Sequence, residues 1–325
     1  MTEATGEQRA KLLVDKEGLY SVTASSHARV MTDLLRVCLP GYSPESGPPL
    51  RVVDGTACVG GNTIAMARDG MQVVAVERDK GRASMLENNV RILGPYKEAP
   101  KLLCKDVHEV LASRVSPFSP AGEPGKPGEP GETGEPGETG EEEETGEEDA
   151  GNGGNAKDGG NGGNAKDGGN AKDGGNGGNG ENTRRGTNVP KKSTKQKEGP
   201  WSCDAIVLDP PWGGPQYSEQ ERLQLFLSNV SVAQIVKGAV LAGRTNLFQL
   251  KVPHNYDFYG LFQYLRSRVP LRYIVKTTTT KFTVLMVGCR TAGYSFTALR
   301  ALKDRHHAEV REIELWTQTF ETQSI

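Results

Sequence analysis

The sequence has few cysteines, and their placement argues against a disulfide framework or a cysteine metal site. The five cysteines are odd in number and are scattered along the chain; they are Cys38, Cys58, Cys104, Cys203 and Cys289. Most lie in apolar runs, as expected for reduced core residues of an intracellular protein. The five histidines show no ligand spacing beyond the adjacent pair His306 and His307. We therefore predict no metal site.

Long hydrophobic stretches and an excess of one charge are also missing. No apolar run is long enough to span a membrane, and the polar N-terminus is unlike a signal peptide. The charges are balanced, with Lys+Arg 39 and Asp+Glu 41, so the net charge gives no positive electrostatic field that would indicate nucleic-acid binding. We expect a soluble intracellular protein with no membrane partner, and a monomer.

The hydrophobic fraction of 35% is low, and the shortage is local. Glycine recurs every third residue from Gly122 to Gly140, an acidic run and Asn-Ala-Lys-Asp-Gly-Gly copies follow, and a basic cluster occupies residues 184–197. Such a segment cannot bury enough apolar surface to order itself, so we predict a disordered low-complexity insertion over residues 118–199. Its basic end fits a nuclear-import signal or an RNA-tethering arm, and a merely solvated linker is equally compatible.

On both sides of the insertion, short apolar strands alternate with helical patterns. The predicted strands are residues 50–54, 73–77, 102–106, 205–209, 246–252, 271–275 and 282–287. Predicted helices cover 28–35, 62–68, 80–93, 219–241 and 258–266. This alternation favours an α/β fold with a doubly wound parallel sheet, and the last two strands, which no helix separates, should pair antiparallel. Residues 291–325 form a tail with an amphipathic helix.

One short stretch, Asp209-Pro210-Pro211-Trp212, follows the fourth predicted strand. Its prolines stiffen the backbone and leave the carbonyls free. The Asp209 carboxylate and the Pro210 carbonyl can accept both N–H bonds of an exocyclic amine, while Trp212 stacks on the heterocycle that carries it. A lone motif of this kind is more often a strand-ending turn with Trp212 in the core. The remainder of the chain favours the amine site.

Acidic residues close the first three predicted strands, at the sheet edge where α/β proteins bind ligands. Glu77 is placed to accept both hydroxyls of a ribose, and Asp106 to accept from an adenine amine. The small-residue loop 54–61, which begins at Asp54, is neither a GxGxxG fingerprint nor a P-loop, since it lacks a lysine. A nucleoside cofactor without a diphosphate fits better, and we predict S-adenosyl-L-methionine. Each acid taken alone could instead be a helix N-cap or a residue that keeps a loop soluble.

Three stretches together resemble the trimethylguanosine synthase family of RNA cap guanine-2-amino methyltransferases. They are Glu17–Thr23, Val59–Ile64 and Pro210–Tyr217, the last reading PPWGGPQY. The resemblance covers most of residues 12–117 and 201–290. It implies a doubly wound, mostly parallel, seven-stranded class I methyltransferase (Rossmann-like) sheet with an antiparallel last strand. The domain would be split into residues 1–117 and 200–290.

The resemblance also implies an activity: transfer of methyl groups from S-adenosyl-L-methionine to the 2-amino group of the 7-methylguanosine cap of small nuclear and nucleolar RNAs. By position, the implied cofactor residues are Thr23, Asp54, Gly60, Asn62, Thr63, Glu77 and Asp106. The implied catalytic residues are Asp209, Pro210 and Trp212, and the implied substrate residues are Trp212, Pro211, Tyr20 and Lys251. Because 7-methylguanine is cationic, an indole face attracts it by roughly 0.5–2 kcal/mol.

The chain departs from the family pattern at several positions. Asp209 stands where the family has serine, and Cys58 stands in place of a loop glycine, which would strain the backbone if that site needs a positive φ. Tyr20 alone remains of an aromatic pair, and His254 replaces an arginine after the fifth strand. The candidates to contact the cap phosphates are Lys11, Lys16 and Lys251.

Two rival functions stay open. A methyltransferase of adenine N6 or of internal guanine N2 in nucleic acid would suit Asp209, and cap competition would separate it from the cap enzyme. A non-catalytic cap- or RNA-binding module would keep the fold without binding the cofactor. We expect capped RNA as the partner, with further RNA or protein contacts through the insertion, and a nuclear or nucleolar location, with the cytoplasm as the alternative.

Overall fold

A mixed sheet of nine strands organises the chain in this computed structural model, which describes residues 4–39, 47–119, 200–319 and 322–325. The strands are β1 Arg51–Asp54, β2 Gln72–Glu77, β3 Lys101–Cys104, β4 Ala205–Leu208, β5 Phe226–Leu227, β6 Val230–Ser231, β7 Leu247–Val252, β8 Leu271–Thr279, β9 Thr283–Cys289, β10 Val310–Thr317 and β11 Thr322–Ser324. The sheet order is β11-β10-β8-β9-β7-β4-β1-β2-β3, and β5 and β6 form a separate hairpin.

Helices cover both faces of this sheet. They are α1 Gly6–Ala10, α2 Lys16–Ser21, α3 Ser25–Val37, α4 Gly61–Arg68, α5 Lys80–Leu93, α6 Val107–Ala112, α7 Val232–Leu241, α8 Phe258–Arg266 and α9 Phe296–Arg305, with a 3-10 helix at Pro215–Glu219. Alternate residues of β4 show the layering: Ile206 joins the cluster beneath α6–α8, and Val207 the cluster beneath α3, α4 and α9. None of the helices in the described ranges is long and apolar enough to cross a membrane.

Strands β3, β2, β1, β4 and β7 run parallel, and β9 lies antiparallel between β7 and β8. The predicted doubly wound, mostly parallel sheet with an antiparallel last strand is therefore confirmed, as is the antiparallel pairing of the last two predicted strands. The seven-strand count needs a correction, because the predicted tail adds β10 and β11 beyond β8. Val310, Ile313 and Leu315 of β10 are buried, with a register shift between Val310 and Glu312, and this apolar face packs into the core beneath α3, α4 and α9.

The helix predicted over residues 219–241 is wrong in its first half. That half holds the end of the 3-10 helix and the β5–β6 hairpin, whose turn residues Ser228 and Asn229 adopt φ 48° and 65°. Such turns twist the same way as paired strands, and asparagine tolerates this conformation better than most residues. Helix α7 starts only after Ser231, which forms a capping box with Gln234.

The predicted insertion lies almost wholly outside the described residues, and its two flanks meet on Arg244. The guanidinium of Arg244 donates to the carbonyls of Leu111 (3.0 Å), Ser113 (2.8 Å) and Trp201 (3.1 Å). It also stacks over the indole of Trp201, 4.6 Å from the ring centroid. This junction lies before the start of β4, at the sheet edge opposite to the strand ends that carry the predicted site residues.

Candidate functional site

The carboxyl ends of four neighbouring strands bring the predicted chemistry together. Glu77 ends β2, Asp54 ends β1, Asp209 follows β4, and Lys251 lies near the end of β7. These strands are adjacent and in register, with Asp54 opposite Val207 and Leu208 opposite Leu250. The four charged side chains are consequently gathered at one edge of the sheet, as expected for a ligand site in a parallel α/β sheet.

Asp54 is fully buried and is held by its own loop. Its Oδ2 accepts a hydrogen bond from Thr63 Oγ1 at 2.6 Å, and its Oδ1 accepts a longer one of 3.4 Å from the Thr56 amide. Burial raises the pKa of Asp54 to about 6; the hydrogen bonds from Thr63 and Thr56 act against this, and the charges of Asp209 and Glu77 add to it. Asp54 is thus a carboxyl that ionises more readily when a cation binds nearby.

The loop after Asp54 is shaped by backbone geometry. Gly60 precedes α4 with φ 101°, and a Cβ there would approach Leu86 Cδ1 to 2.8 Å. A Cβ on Gly61 would come within 3.1 Å of the backbone N and O of Thr23. The end of residues 4–24, which we call the N-terminal segment, therefore lies directly on this loop. Cys58 adopts φ 49°, the left-handed conformation that a glycine would take without strain.

Asn62 provides a test of whether these residues fit the predicted cofactor. The residue is buried, and its Oδ1 has no hydrogen-bond partner within the described part of the chain. A buried carbonyl oxygen without a donor is costly. The α-ammonium group of S-adenosylmethionine is a donor of the required kind, and the small-residue loop leaves the backbone open to it. The residues present therefore fit the cofactor.

Glu77 is buried and joins the loop to α5. Its Oε2 accepts from the Cys58 amide and its Oε1 from the Asp79 amide, both at 2.9 Å. A carboxylate oxygen has more than one acceptor position, so both oxygens can still receive a ribose hydroxyl. The Arg82 guanidinium, which pairs with Glu17, comes within 3.8 Å of Glu77.

Asp106 lies two residues beyond the end of β3 and caps α6 by accepting from the His108 amide at 2.8 Å. Its other oxygen accepts from the hydroxyl of Ser228, at the tip of the β5–β6 hairpin, and Arg78 donates to the same hydroxyl at 3.0 Å. Partial burial raises the pKa of Asp106, but these hydrogen bonds and the charge of Arg78 outweigh it, and the net shift is downward. Asp106 is therefore a stable acceptor at the predicted adenine end.

Asp209 and Lys251 form a buried ion pair in the middle of the site. Lys251 Nζ lies 2.6 Å from Asp209 Oδ2 and also donates to the Ser21 carbonyl at 3.0 Å and to Thr23 Oγ1 at 3.1 Å. The Asp209 amide donates to Thr56 Oγ1 at 2.6 Å. Burial raises the pKa of Asp209, and the charge and hydrogen bond of Lys251 oppose the rise. The predicted contact of Lys251 with the cap phosphates stays a prediction.

Trp212 lies half-buried on the same turn as Asp209. Its indole packs edge-on against Tyr217 with ring centroids 5.1 Å apart, and Lys251 Nζ lies 5.5 Å from the indole centroid. Trp212 Nε1 is buried without a hydrogen-bond partner among the described residues. Pro210 is buried and Pro211 is exposed. The turn is therefore anchored in the protein at Pro210 and open to solvent at Pro211.

Tyr20 lies apart from this group. It is 84% exposed on α2, next to Leu19 at 63%. Its implied role as a substrate residue remains a prediction, whereas Thr23, two residues after α2, is buried against the loop and Lys251.

Sequence reasoning missed two residues that organise the site. Asn89, on α5, is fully buried: its Oδ1 accepts from the Leu13 amide at 2.8 Å, and its Nδ2 donates to the carbonyls of Leu13 (2.8 Å) and Val59 (3.0 Å). Ser228 is the other, through its bond to Asp106. The sequence signal for Asn89 was its position as a polar residue on the apolar face of a predicted helix. Ser228 could have been found only by recognising the hairpin turn that contains it. No group of three or more potential metal ligands occurs in the described ranges.

The sheet order, the acids at the carboxyl ends of its strands and the loop of residues 54–61, which we call the cofactor loop, define a protein with a class I methyltransferase fold. A protein-family model described as RNA cap guanine-N2 methyltransferase matches residues 50–290, and the chain belongs to that family.

Other proteins are similar over shorter or more distant matches. An uncharacterised protein of Acanthamoeba polyphaga mimivirus is 32% identical over 84 residues, which are 26% of this chain and 31% of that protein. The match thus spans less than a third of this relative.

Two solved structures can be superposed on the chain. A 16S rRNA N2 methyltransferase of T. thermophilus in complex with AdoMet and guanosine is 16% identical, with a TM-score of 0.40 over 83% of this chain and 44% of that one. A human methyltransferase 10 domain containing protein is 10% identical, with a TM-score of 0.41 over 86% and 88%.

Proposed function

We propose that this protein methylates the exocyclic 2-amino group of a 7-methylguanosine RNA cap, using S-adenosyl-L-methionine. The observation that carries the proposal is the turn after β4, where Asp209, Pro210 and Trp212 lie beside the loop that fits the cofactor. Family membership supports the reaction class. The particular RNAs, the small nuclear and nucleolar ones, are part of the proposal, as are a nuclear location and the insertion as an RNA or protein contact.

The cofactor would be held from three strand ends. Asn62 Oδ1 and Asp54 would receive its methionine end, Glu77 its ribose hydroxyls and Asp106 its adenine amine. When bound, S-adenosylmethionine supplies an electrophilic methyl group on a positively charged sulfur. The chain itself supplies alignment and exclusion of water, which together contribute much of the barrier reduction in transfers of this kind.

The guanine amine is a weak nucleophile, because its lone pair is delocalised into the ring. Asp209 and the Pro210 carbonyl would accept its two N–H bonds, fix its direction and stabilise the positive charge that develops on nitrogen. After methyl transfer that nitrogen is strongly acidic, so its proton leaves to solvent without a dedicated general base. Asp209 therefore acts as an oriented acceptor.

Trp212 would select the substrate by charge. An indole face attracts the cationic 7-methylguanine by about 0.5–2 kcal/mol more than it would an uncharged guanine, which is a preference of roughly twofold to thirtyfold. The half-buried position and the edge-on support from Tyr217 hold the ring in one orientation. The enzyme would accordingly act after 7-methylation.

Mass spectrometry of three substrates tests the proposal. The protein and S-adenosylmethionine are incubated with a 7-methylguanosine cap dinucleotide, an unmethylated cap dinucleotide and an adenosine-containing RNA. We expect one or two methyl groups on the 7-methylated cap alone. Methylation of adenine or of plain guanine would replace the cap assignment by the other amino methyltransferase, and no product with intact cofactor binding would favour a binding module.

A further inference from the structure

Lys251 is unusual among the site residues because its charge is buried and its donors are all used. The residue is 4% exposed, in the centre of the sheet on β7. An ammonium group has three N–H donors and no acceptor. Those donors reach Asp209 Oδ2, the Ser21 carbonyl and Thr23 Oγ1, at 2.6, 3.0 and 3.1 Å. A lysine with this environment is arranged to hold other parts of the chain in place.

We propose that Lys251 is a positioning residue for methyl acceptance: it keeps Asp209 as an oriented, ionised acceptor and ties that acceptor to the Ser21–Thr23 segment. The inference rests on the proposed function. Because Lys251 occupies Oδ2, the other oxygen of Asp209 is the one that receives the amine. In this role Lys251 acts on the substrate through Asp209.

The charge balance explains why Asp209 needs such a partner. Asp209 is mostly buried, with 12% of its side chain exposed, and burial favours its neutral form. A protonated carboxyl presents an O–H donor where the guanine amine needs an acceptor. The ammonium of Lys251 opposes protonation at a distance of 2.6 Å. Each charge is thus the condition for burying the other.

The second half of the proposal follows from the other two bonds of Lys251. Ser21 and Thr23 border the end of α2, and the Thr23 backbone lies on Gly61 of the cofactor loop. Further back, Asn89 fixes Leu13 of the same N-terminal segment. Lys251 therefore connects the acceptor turn, the N-terminal segment and the cofactor loop, so that the acceptor is in place only when this segment is docked.

The test compares three variants with the wild type. Lys251→Met removes the charge with little change in volume, and the double variant D209N/K251M removes both charges. Lys276→Met is the matched control, because Lys276 pairs with Glu314 at 2.7 Å in the same sheet but outside the site. If charge matching is the reason for the pair, D209N/K251M should be more stable in thermal unfolding than K251M.

A pH profile separates positioning from a purely structural role. The carboxylate is lost as pH falls through the pKa of Asp209, and removal of Lys251 raises that pKa, so activity should fall at a higher pH in K251M. Each pKa unit of displacement lowers the ionised fraction about tenfold below the pKa. The fall should appear in kcat, with KM for the capped dinucleotide little changed.

Other titrating groups face the same pair and must be separated from Asp209. Asp54 on β1 feels the charge of Asp209, and His27 on α3 feels that of Lys251. The double variant retains both groups and loses the Lys251 charge, but residue 209 no longer titrates. We expect the acid limb to move to higher pH in K251M, to keep its wild-type position in K276M, and to be absent from the residual activity of D209N/K251M. A limb that moves equally in K251M and the double variant would overturn the assignment to Asp209.

Hydrogen exchange of the backbone amides in residues 15–23 provides a measurement that needs no substrate. K251M should speed exchange in this segment at least several-fold without cofactor, and K276M should leave it at the wild-type rate. Unchanged exchange in K251M would overturn the connection to the N-terminal segment. Because the hydrogen-exchange measurement does not depend on turnover, it tests the connection even if the protein does not methylate caps.

Discussion

Trp212 is half-buried between the core and the site, so it could stack on the cap or only pack in the core. The two roles predict different effects of its removal. Trp212→Ala should lower affinity for a 7-methylguanosine cap analogue and abolish the preference for it over unmethylated cap, because the cation–indole attraction is lost. Affinity for S-adenosylmethionine should stay within about twofold, because the cofactor residues lie on other strands. Calorimetric titrations with each ligand measure both effects.

Trp316→Ala is the matched control for this substitution. Trp316 is also half-buried and packs edge-on against Phe258 and Phe262, outside the site. It should reduce stability, as the loss of a large aromatic side chain does, while leaving the cap preference intact. If the two variants lose cap preference equally, or if W212A loses cofactor and cap binding together, Trp212 is only a packing residue.

We expect Asp54 to make cofactor binding depend on pH. Its pKa is about 6 in the folded protein against an ordinary value of 3.8, so the folded state binds the proton more tightly, and the contribution of Asp54 to stability falls as pH rises from about 4 to 6. A cation bound nearby favours the carboxylate and should therefore release a proton. At pH 5.5, calorimetric titration with S-adenosylmethionine in buffers of different ionisation enthalpy should show this release, and Asp54→Asn should abolish it. Equal proton release by both proteins would place the titrating group elsewhere.

At the residue scale, the sequence indicates which side chains gather, but not how they pair. Asp54, Glu77 and Asp209 were predicted from their positions after strands, because parallel strands bring their carboxyl ends to one edge. The ion pair of Asp209 with Lys251 depends on the register of β4 with β7, which joins residues 42 positions apart. No local pattern carries that register.

Asn89 of α5 is one of the side chains that hold the N-terminal segment. Asn89→Ala would leave the backbone groups of Leu13 and the Val59 carbonyl without their partner. A buried polar group that loses its partner costs roughly 1–3 kcal/mol. We expect the free energy of unfolding to fall by about that amount, and cofactor affinity to fall with it because Val59 belongs to the cofactor loop. Denaturant unfolding and calorimetry measure the two effects.

The neighbouring Asn88 supplies the control for this prediction. Asn88 donates to the Lys11 carbonyl at 3.1 Å and, over a longer 3.3 Å, to Asn89 Oδ1, from a less buried position on the same helix. Asn88→Ala should change stability by well under 1 kcal/mol and leave cofactor affinity unaltered. Cofactor binding that is unaffected in Asn89→Ala would show that the N-terminal segment does not support the loop.

At the scale of the element, the boundaries of α5 and α8 were predicted well, because each helix repeats its apolar pattern over several turns. Elements too short to show a repeat were predicted poorly. The β5–β6 hairpin escaped because each of its strands has two residues, too few for an alternation to be visible. The strands β10 and β11 escaped because they extend the sheet beyond the expected seven strands, with β11 at its edge, and their sequences are partly polar.

At the scale of the whole molecule, the insertion is attached away from the site. Arg244 joins its two flanks at the amino edge of the sheet, whereas Asp209 and the cofactor loop lie at the carboxyl edge. Replacing residues 120–199 by a Gly-Ser linker of about ten residues should leave cofactor affinity and the rate on a cap dinucleotide unchanged within about twofold, because loop length alone has a small effect on stability. A large loss in either quantity would contradict this separation.

The same replacement separates an RNA-tethering arm from the other two interpretations of the basic cluster, a nuclear-import signal and a solvated linker. A tethering arm would make the deleted protein bind long capped RNA more weakly, with a smaller dependence on salt, than the full chain does. A solvated linker predicts no difference. Fluorescence anisotropy at two salt concentrations separates these outcomes.

The central claim is that Asp209 and Pro210 present the 2-amino group of 7-methylguanine for methylation. Tandem mass spectrometry of the 7-methylguanosine cap dinucleotide, after incubation with the protein and S-adenosylmethionine carrying a deuterated methyl group, locates the transferred group most directly. We expect label on the exocyclic nitrogen of the 7-methylated base and nowhere else. Label on a ribose or on the second nucleoside, or no label from a protein that binds the cofactor, would contradict it.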